Sequence, residues 1–347
     1  MECRVEATKM KKIRLTLLGL TAFLAPALLV AQTPKEALLA LSKRDHTLAI
    51  VDSSNLKVLA KIPVGNDPHE VIASSDGKTA YVSNYGGGLY NTLTVVDLVA
   101  QKALPAIDLG ALKGPHGLTF IGGKVWFTAE AAKAIGSYDP ASQKIDWILG
   151  TGQNRTHMIW VSSDLKHIFT TNVSSGTVSM IERTPPRTGG GRPGPAGGDW
   201  DQTLVKVGNG SEGFDVSPDG KEIWVANAQD GTISIIDVAS KKVTDTLNAN
   251  VQSANRLKFT PDGARVFVAG LRMESVGVFD ALTHKELKEI KVGHGAAGIQ
   301  MQPDGSRVFI ASSPDNYVSV IDLKSLEVTG RIDVGIEPDG LAWAVRQ

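Results

Sequence analysis

The chain repeats itself, and an internal repeat constrains a fold more tightly than any single motif. The segment GFDVSPDGKEIWVANAQDGTISIIDVASKKVTDTL returns as LKFTPDGARVFVAGLRMESVGVFDALTHKELKEIKVG, and again as IQMQPDGSRVFIASSPDNYVSVIDLKSLEVTGRIDVG. The aspartate of its Pro-Asp-Gly turn falls at 219, 262 and 304, intervals of 43 and 42 residues. Looser copies precede these: VIASSDGKTAYVSNY with TLTVVD, LTFIGGKVWFTAE with IGSYD, and MIWVSSDLKHIFTTN with TVSMIE. Each copy holds four short runs of β-branched and aromatic residues, broken at fixed places by turn formers. In the first copy the runs are 214–217, 223–227, 232–237 and 242–247. Pro218-Asp219-Gly220 joins the first two as a hairpin, because proline presets φ and glycine accepts the left-handed conformation. A unit of about 40 residues with four strands is a propeller blade.

First strands begin near residues 70, 117, 158, 213, 256, 298 and 340, which makes seven. Residues 38–64 supply three strands with no first strand before them, and 340–345 supply a first strand with nothing after it. Pairing the two fragments completes a seventh blade and removes the open edges that template aggregation. The expected architecture is therefore all-β. It is a seven-bladed propeller of four antiparallel strands per blade, in which the C-terminal strand joins the N-terminal blade. The domain spans 38–347 behind a short lead-in at 32–37. A Gly/Pro-rich insertion at 184–202 interrupts one outer turn.

Tyr81-Val82-Ser83-Asn84, Trp224-Val225-Ala226-Asn227 and Val318-Ser319-Val320-Ile321-Asp322 resemble the YVTN repeat and its VSVID partner strand. Over 38–347 the chain resembles the YVTN-repeat, or YncE-like, seven-bladed propellers. That resemblance implies a fold and no activity, because propellers host unrelated functions. The wider superfamily includes streptogramin lyases, lactonases and quinoprotein dehydrogenase subunits, whose catalytic residues do not map onto this sequence.

Residues 1–31 read as a signal peptide. Lys9, Lys11, Lys12 and Arg14 precede an apolar run from Leu15 to Val30, and Ala31 offers a small residue at the cleavage point. Counted from Met10, the leader is already complete, so the true start is expected there. The apolar run contains Pro26 and falls short of the ~20 residues a spanning helix needs, so no membrane span is expected after cleavage. Periplasmic or secreted location follows. The only cysteine, Cys3, precedes the cleavage point, which excludes disulfides, cysteine metal sites and cysteine nucleophiles from the mature chain. With 36 basic and 36 acidic side chains, the protein lacks the electrostatic footprint of a nucleic-acid binder, and a monomer is expected. No phosphate-binding glycine loop, Gly-x-Ser-x-Gly elbow or Cys-x-x-Cys-His haem motif is present.

Strand direction alternates, so the connections divide between two faces. Five of the seven histidines (His46, His69, His116, His157 and His294) fall on the face that carries the connections between blades, and His167 and His284 on the other. Two residues before the first apolar residue of each first strand stand Asp339, His69, His116, His157, Glu212, Asn255 and Ala297. These should ring the mouth of the central channel. His69, His116, His157 and Glu212 form a donor set that suits zinc, copper or iron, with an open position for chemistry. The same residues suit a polar or anionic ligand. Pro68-His69 and Pro115-His116 also fit a turn role without any ligand. Arg256, which stands where other blades have glycine, is a candidate anion clamp. Tyr85 and Glu130 are second-tier candidates from neighbouring loops, together with Tyr90, Arg272, Asn172 and Asn227, the last two reading better as turn caps.

Two functions remain open at this point. One is a module that binds a small ligand, a metal or a protein partner at the mouth. The other is a metal-assisted lyase, hydrolase or oxidoreductase built on the His69, His116 and His157 arc. A scaffold subunit of a periplasmic complex is a third possibility.

Overall fold

The computed structural model describes residues 1–2, 33–185, 198–249 and 251–347. The expected leader therefore lies almost wholly outside the described residues. Among the described residues no helix is long and apolar enough to cross a membrane.

From Thr33 onward the described residues form seven four-stranded antiparallel sheets, each one blade. Blade 1 closes the ring: its innermost strand is the tail, Pro338–Val345, followed outward by Glu36–Ser42, Thr47–Asp52 and Val58–Pro63. The closing ladder pairs Glu36 with Val345, Leu38 with Trp343 and Ala40 with Leu341. The innermost strands of blades 2 to 7 are Pro68–Ala73, Pro115–Ile121, Thr156–Val161, Ser211–Val216, Ala254–Phe259 and Ala296–Met301.

Burial explains the sequence pattern of each strand. Second strands such as Glu222–Asn227 and third strands such as Thr232–Asp237 are covered on both faces by neighbouring blades, so they read as unbroken apolar runs. Outermost strands such as Lys144–Gly150 and Lys242–Asn248 alternate between exposed and half-buried. Their exposed positions carry many of the charges that blunt a free edge. The core consists of apolar clusters wedged between blades. Trp126, Trp160, Trp224 and Trp343 each sit in one that joins two blades.

The acid that ends each third strand is a turn cap in most blades. Asp52, Asp97, Asp139, Asp237, Asp280 and Asp322 each accept a backbone N–H two or three residues on. Glu182 departs from the pattern: its strand continues to Thr184, and its carboxylate pairs with Lys241 at 2.7 Å. The same extension trims the expected insertion, because Asp199–Lys206 is the outermost strand of blade 4 and pairs Thr184 with Asp199. Residues 186–197 of that insertion lie outside the described residues.

The innermost strands start earlier than the sequence pattern suggests. Blade 5 begins at Ser211 rather than 214, and its ladder slips register between Ser211 and Phe214. Every blade has this irregularity at the corresponding place. A bulge inserts residues that oppose nothing, which hides the strand from a period-two reading and re-aims side chains. Here it falls at the residues that line the mouth of the channel.

Candidate functional site

The bulges place the predicted ring around one cavity of about 230 Å³ at the channel mouth. His69, His116, His157, Glu212, Asn255, Arg256 and Asp339 line it, with Tyr85 from a neighbouring loop. Glu130 stands immediately behind and is only 4% exposed. Leu271, Ala297 and Ser313 form a plain wall on the blade 6 and 7 side.

Hydroxyls from the second strands fix the bulges. Thr128 Oγ1 accepts from Gly117 N at 2.9 Å and donates to the carbonyl of His157 at 2.7 Å, so blade 3 holds the mouth residue of blade 4. Thr171 Oγ1 donates in the same way to the carbonyl of Glu212 at 2.5 Å. Gly117 is required at this approach: a Cβ there would stand 2.5 Å from the carbonyl oxygen of His157.

Three histidine rings run side by side from blade 2 to blade 4. The His69 and His116 centroids are 5.0 Å apart, and those of His116 and His157 are 3.8 Å apart. Each ring has a different electrostatic setting. Lys43 Nζ approaches His69 Nε2 at 3.0 Å, and an ammonium can only donate. His69 Nε2 is therefore the acceptor, and Nδ1 carries the proton towards the Asp67 carbonyl at 3.1 Å. Burial, then the neighbouring His157 and His69, push the His116 pKa well below the ordinary histidine value, so this ring is neutral. Its Nδ1 is sealed from solvent with no hydrogen-bond partner among the described residues.

His157 lies between two carboxylates. Its Nδ1 bonds Glu130 Oε1, and its Nε2 is 2.8 Å from Glu212 Oε2. The second contact is close but off the line that a hydrogen bond needs, so Nε2 is in an ion-pairing field without an aligned bond. Burial works against charge on this ring, but Glu212 and Glu130 outweigh it and raise the His157 pKa. The carboxylates respond in kind. Burial opposes ionisation of Glu212, yet His157, Arg256 and Arg155 bring it down to about 2. Glu130 is likewise lowered, desolvation being overcome by His157 and by the Tyr85 hydroxyl that donates to its other oxygen. Tyr85 in turn is held protonated, by burial first and by Glu130 second.

Three participants escape the sequence reading. Lys43 bridges His69 and Asp339, the latter at 3.3 Å. Arg155, two residues before His157 and at φ 54°, reaches Glu130 at 3.5 Å and Glu212 at 3.9 Å. Glu70 bonds Arg256 across the channel, from blade 2 to blade 6, and both side chains are only 13% exposed. Arg256 lines the cavity, and both residues stand one position further along their inner strands than the mouth residues. A register signal was available for two of the three: Lys43 directly follows a second strand, as Tyr85 and Glu130 do, and Glu70 directly follows a mouth residue, as Arg256 does.

The other candidates lie elsewhere. Tyr90 is on an exposed lip that begins with the 3-10 turn Gly86–Gly88 and is tied down where its carbonyl accepts from Gly114 N at 2.7 Å. Arg272 lines a neighbouring surface groove that shares Glu212 with the mouth cavity but not the histidines. Asn172 and Asn227 are fully buried brackets: the Asn227 amide donates to Thr232 and Ser234 hydroxyls, each at 3.0 Å. His294 sits exposed on the outer rim between Glu274 and Asp315.

No protein-family model matches the chain, and no curated protein matches it in sequence. Solved structures do match. A functionally unknown protein from Desulfotomaculum acetoxidans superposes with a TM-score of 0.73 at 16% identity, covering 90% of this chain and 99% of that one. A candidate 6-phosphogluconolactonase from Bacteroides fragilis gives 0.69 at 15% identity, covering 90% and 99%. A chain of Kuenenia stuttgartiensis hydrazine synthase gives 0.65 at 15% identity, covering 79% and 89%. At such identities the likeness shows the fold alone.

Proposed function

We propose that the chain is an exported YVTN-type propeller, periplasmic or secreted, that binds a small organic anion at the mouth of its channel. The observation that carries this reading is Arg155. It stands at the cavity wall with a 45% exposed side chain, and its two carboxylate contacts, at 3.5 and 3.9 Å, are long. Lys43 and Arg256, by contrast, are closely paired. A guanidinium fork with donors to spare is the natural receptor for a carboxylate or phosphate. The neutral His116 ring adds a hydrogen-bonding edge beside it, and the Leu271 and Ala297 wall suits the uncharged end of a ligand. A cavity of about 230 Å³ is below the roughly 300–1,000 Å³ of drug-sized sites, which points to a compact ligand. The polar groups are recessed in this cavity, which favours a small molecule over a protein partner.

Calorimetric titration with short-chain carboxylates, hydroxy acids and phosphorylated sugar acids tests the proposal. The fold neighbour described as a candidate 6-phosphogluconolactonase adds a phosphorylated sugar lactone to that panel. Arg155→Gln should weaken the best ligand by about 10- to 100-fold, the equivalent of losing one charge-assisted bond. A ligand that binds the variant as tightly as the parent chain would reject the site. N-terminal sequencing of the native protein tests export, with cleavage after Ala31 as the expected result.

A further inference from the structure

We propose that His116, Glu130 and His157 form a binding site for one divalent transition metal of the zinc type, with one coordination position open to the cavity. The proposal goes beyond the anion reading and does not depend on it. One potential ligand atom from each of the three residues lies within 4.8 Å of the others, and all three side chains are buried. Two imidazoles and one carboxylate are the donor set of an open zinc site, and they are too nitrogen-rich for magnesium or calcium.

A second, independent observation points to a ligand. His116 is 3% exposed, and its Nδ1 is buried without a hydrogen-bond partner. Buried polar atoms are seldom left unsatisfied, because losing water without replacement costs about 1–3 kcal/mol. An ion between His116 and Glu130 would supply the missing partner. The surroundings are those of a supported metal site. Glu212 Oε2 lies 2.8 Å from His157 Nε2, the nitrogen away from Glu130, and the Tyr85 hydroxyl bonds the second oxygen of Glu130. A carboxylate behind the far nitrogen of a ligating histidine raises the basicity of the ring.

His69 is not part of this set, because Lys43 and the Asp67 carbonyl occupy its two nitrogens. One adjustment is required. The His116 and His157 centroids are 3.8 Å apart, whereas two imidazoles bound at ~2.1 Å to one ion hold their centres roughly 5 Å apart. The His116 ring therefore has to move outward by about 1 Å on binding.

The test uses the full mature chain, stripped with chelator, then equilibrated with zinc or cobalt(II) and desalted. One metal per chain by elemental analysis is expected, with cobalt(II) giving the intense visible absorption of a four-coordinate nitrogen–oxygen site. His116→Gln should abolish stoichiometric binding, and Glu212→Gln should weaken it about 10- to 100-fold. His294→Ala, on the exposed rim cluster with Glu274 and Asp315, should change nothing. Cobalt spectra of the parent chain keep the proposal testable if a variant misfolds. Substoichiometric metal in the parent chain, binding that survives His116→Gln, or binding lost in His294→Ala would each overturn it. Anion titration of the chelated protein is read separately: retained anion affinity with no metal site would leave the anion reading intact and remove only this one.

Discussion

The ion pair across the channel gives the sharpest test of how the mouth is held together. Glu70 and Arg256 come from opposite sides of the ring, and each is 13% exposed. Arg256 also donates from Nη1 to its neighbour's carbonyl at 3.2 Å. Removing one partner of a buried pair strands the other charge, whereas replacing both with apolar groups of similar size is often close to neutral. Arg256→Met leaves Glu70 without its bonded cation and should cost about 3–5 kcal/mol. Glu70→Leu is milder, about 1–3 kcal/mol, because Asp339 and Glu212 still attract the guanidinium. The double variant should lose only about 0–2 kcal/mol, so the two changes couple by at least about 2 kcal/mol. Urea unfolding followed by tryptophan fluorescence measures all four proteins, with unchanged m-values as the condition for comparing them. If the double variant loses the sum of the single losses, the pair does not span the channel as a unit. The account of Glu70 and Arg256 as one cross-channel bond then fails.

The repeated turn caps predict acid sensitivity. Asp52, Asp139, Asp237, Asp280 and Asp322 are all lowered, first by side-chain or backbone hydrogen bonds within their turns. Asp219 falls to about 2 through Ser217 and Lys221. A carboxyl whose folded pKa is depressed stabilises the fold above its unfolded value, about 3.9, and loses that contribution as pH falls through the folded one. Urea midpoints should therefore drop between about pH 4 and pH 2, and a flat profile there would exclude the caps as contributors. Asn227→Ala removes a bracket bonded to Thr232 and Ser234 and should destabilise by about 1–3 kcal/mol, read as a lower urea midpoint. Deleting residues 338–347 exposes the edge of Glu36–Ser42, whose Leu38, Leu39 and Leu41 are fully buried in the intact ring. That truncation should aggregate on size-exclusion chromatography, and a soluble monomer would show that closure is dispensable.

The fold was legible because blade physics repeats. Seven copies of the same burial pattern give seven chances to see it, and the orphan strands at the two ends of the chain define the closure. Strand starts were less legible. The bulge breaks the alternation at Ser211 and Glu212, just where the side chains that line the cavity begin. The arc of His69, His116 and His157 could be placed by register alone, but the partner of each could not. Which carboxylate meets His157 depends on blades 3 and 5 flanking blade 4, and Glu130 and Glu212 are 82 residues apart in the chain. Arg155 gave no signal, since a basic residue in a surface turn ordinarily points into water.

A symmetric scaffold has to break its own pattern to build a single site, and the break here is physical. Directly after the mouth residue stand Gly340, Glu70, Gly117, Met158, Gly213, Arg256 and Gly298, in ring order. The glycines reflect crowding: a Cβ on Gly213 would lie 2.5 Å from the carbonyl oxygen of Asn255, as one on Gly117 would from that of His157. Seven inner strands converging on an axis leave little room for side chains at this level, and the three present come from alternate blades. Two of those three, Glu70 and Arg256, are the charges that pair across the channel. Above them, the unlike residues of blades 2 to 5 hold the histidines and carboxylates, while blade 7 contributes only Ala297 and Ser313 to the cavity wall. In this ring the positions that obey the repeat build the propeller, and the positions that depart from it give the cavity a charged side and a plain side.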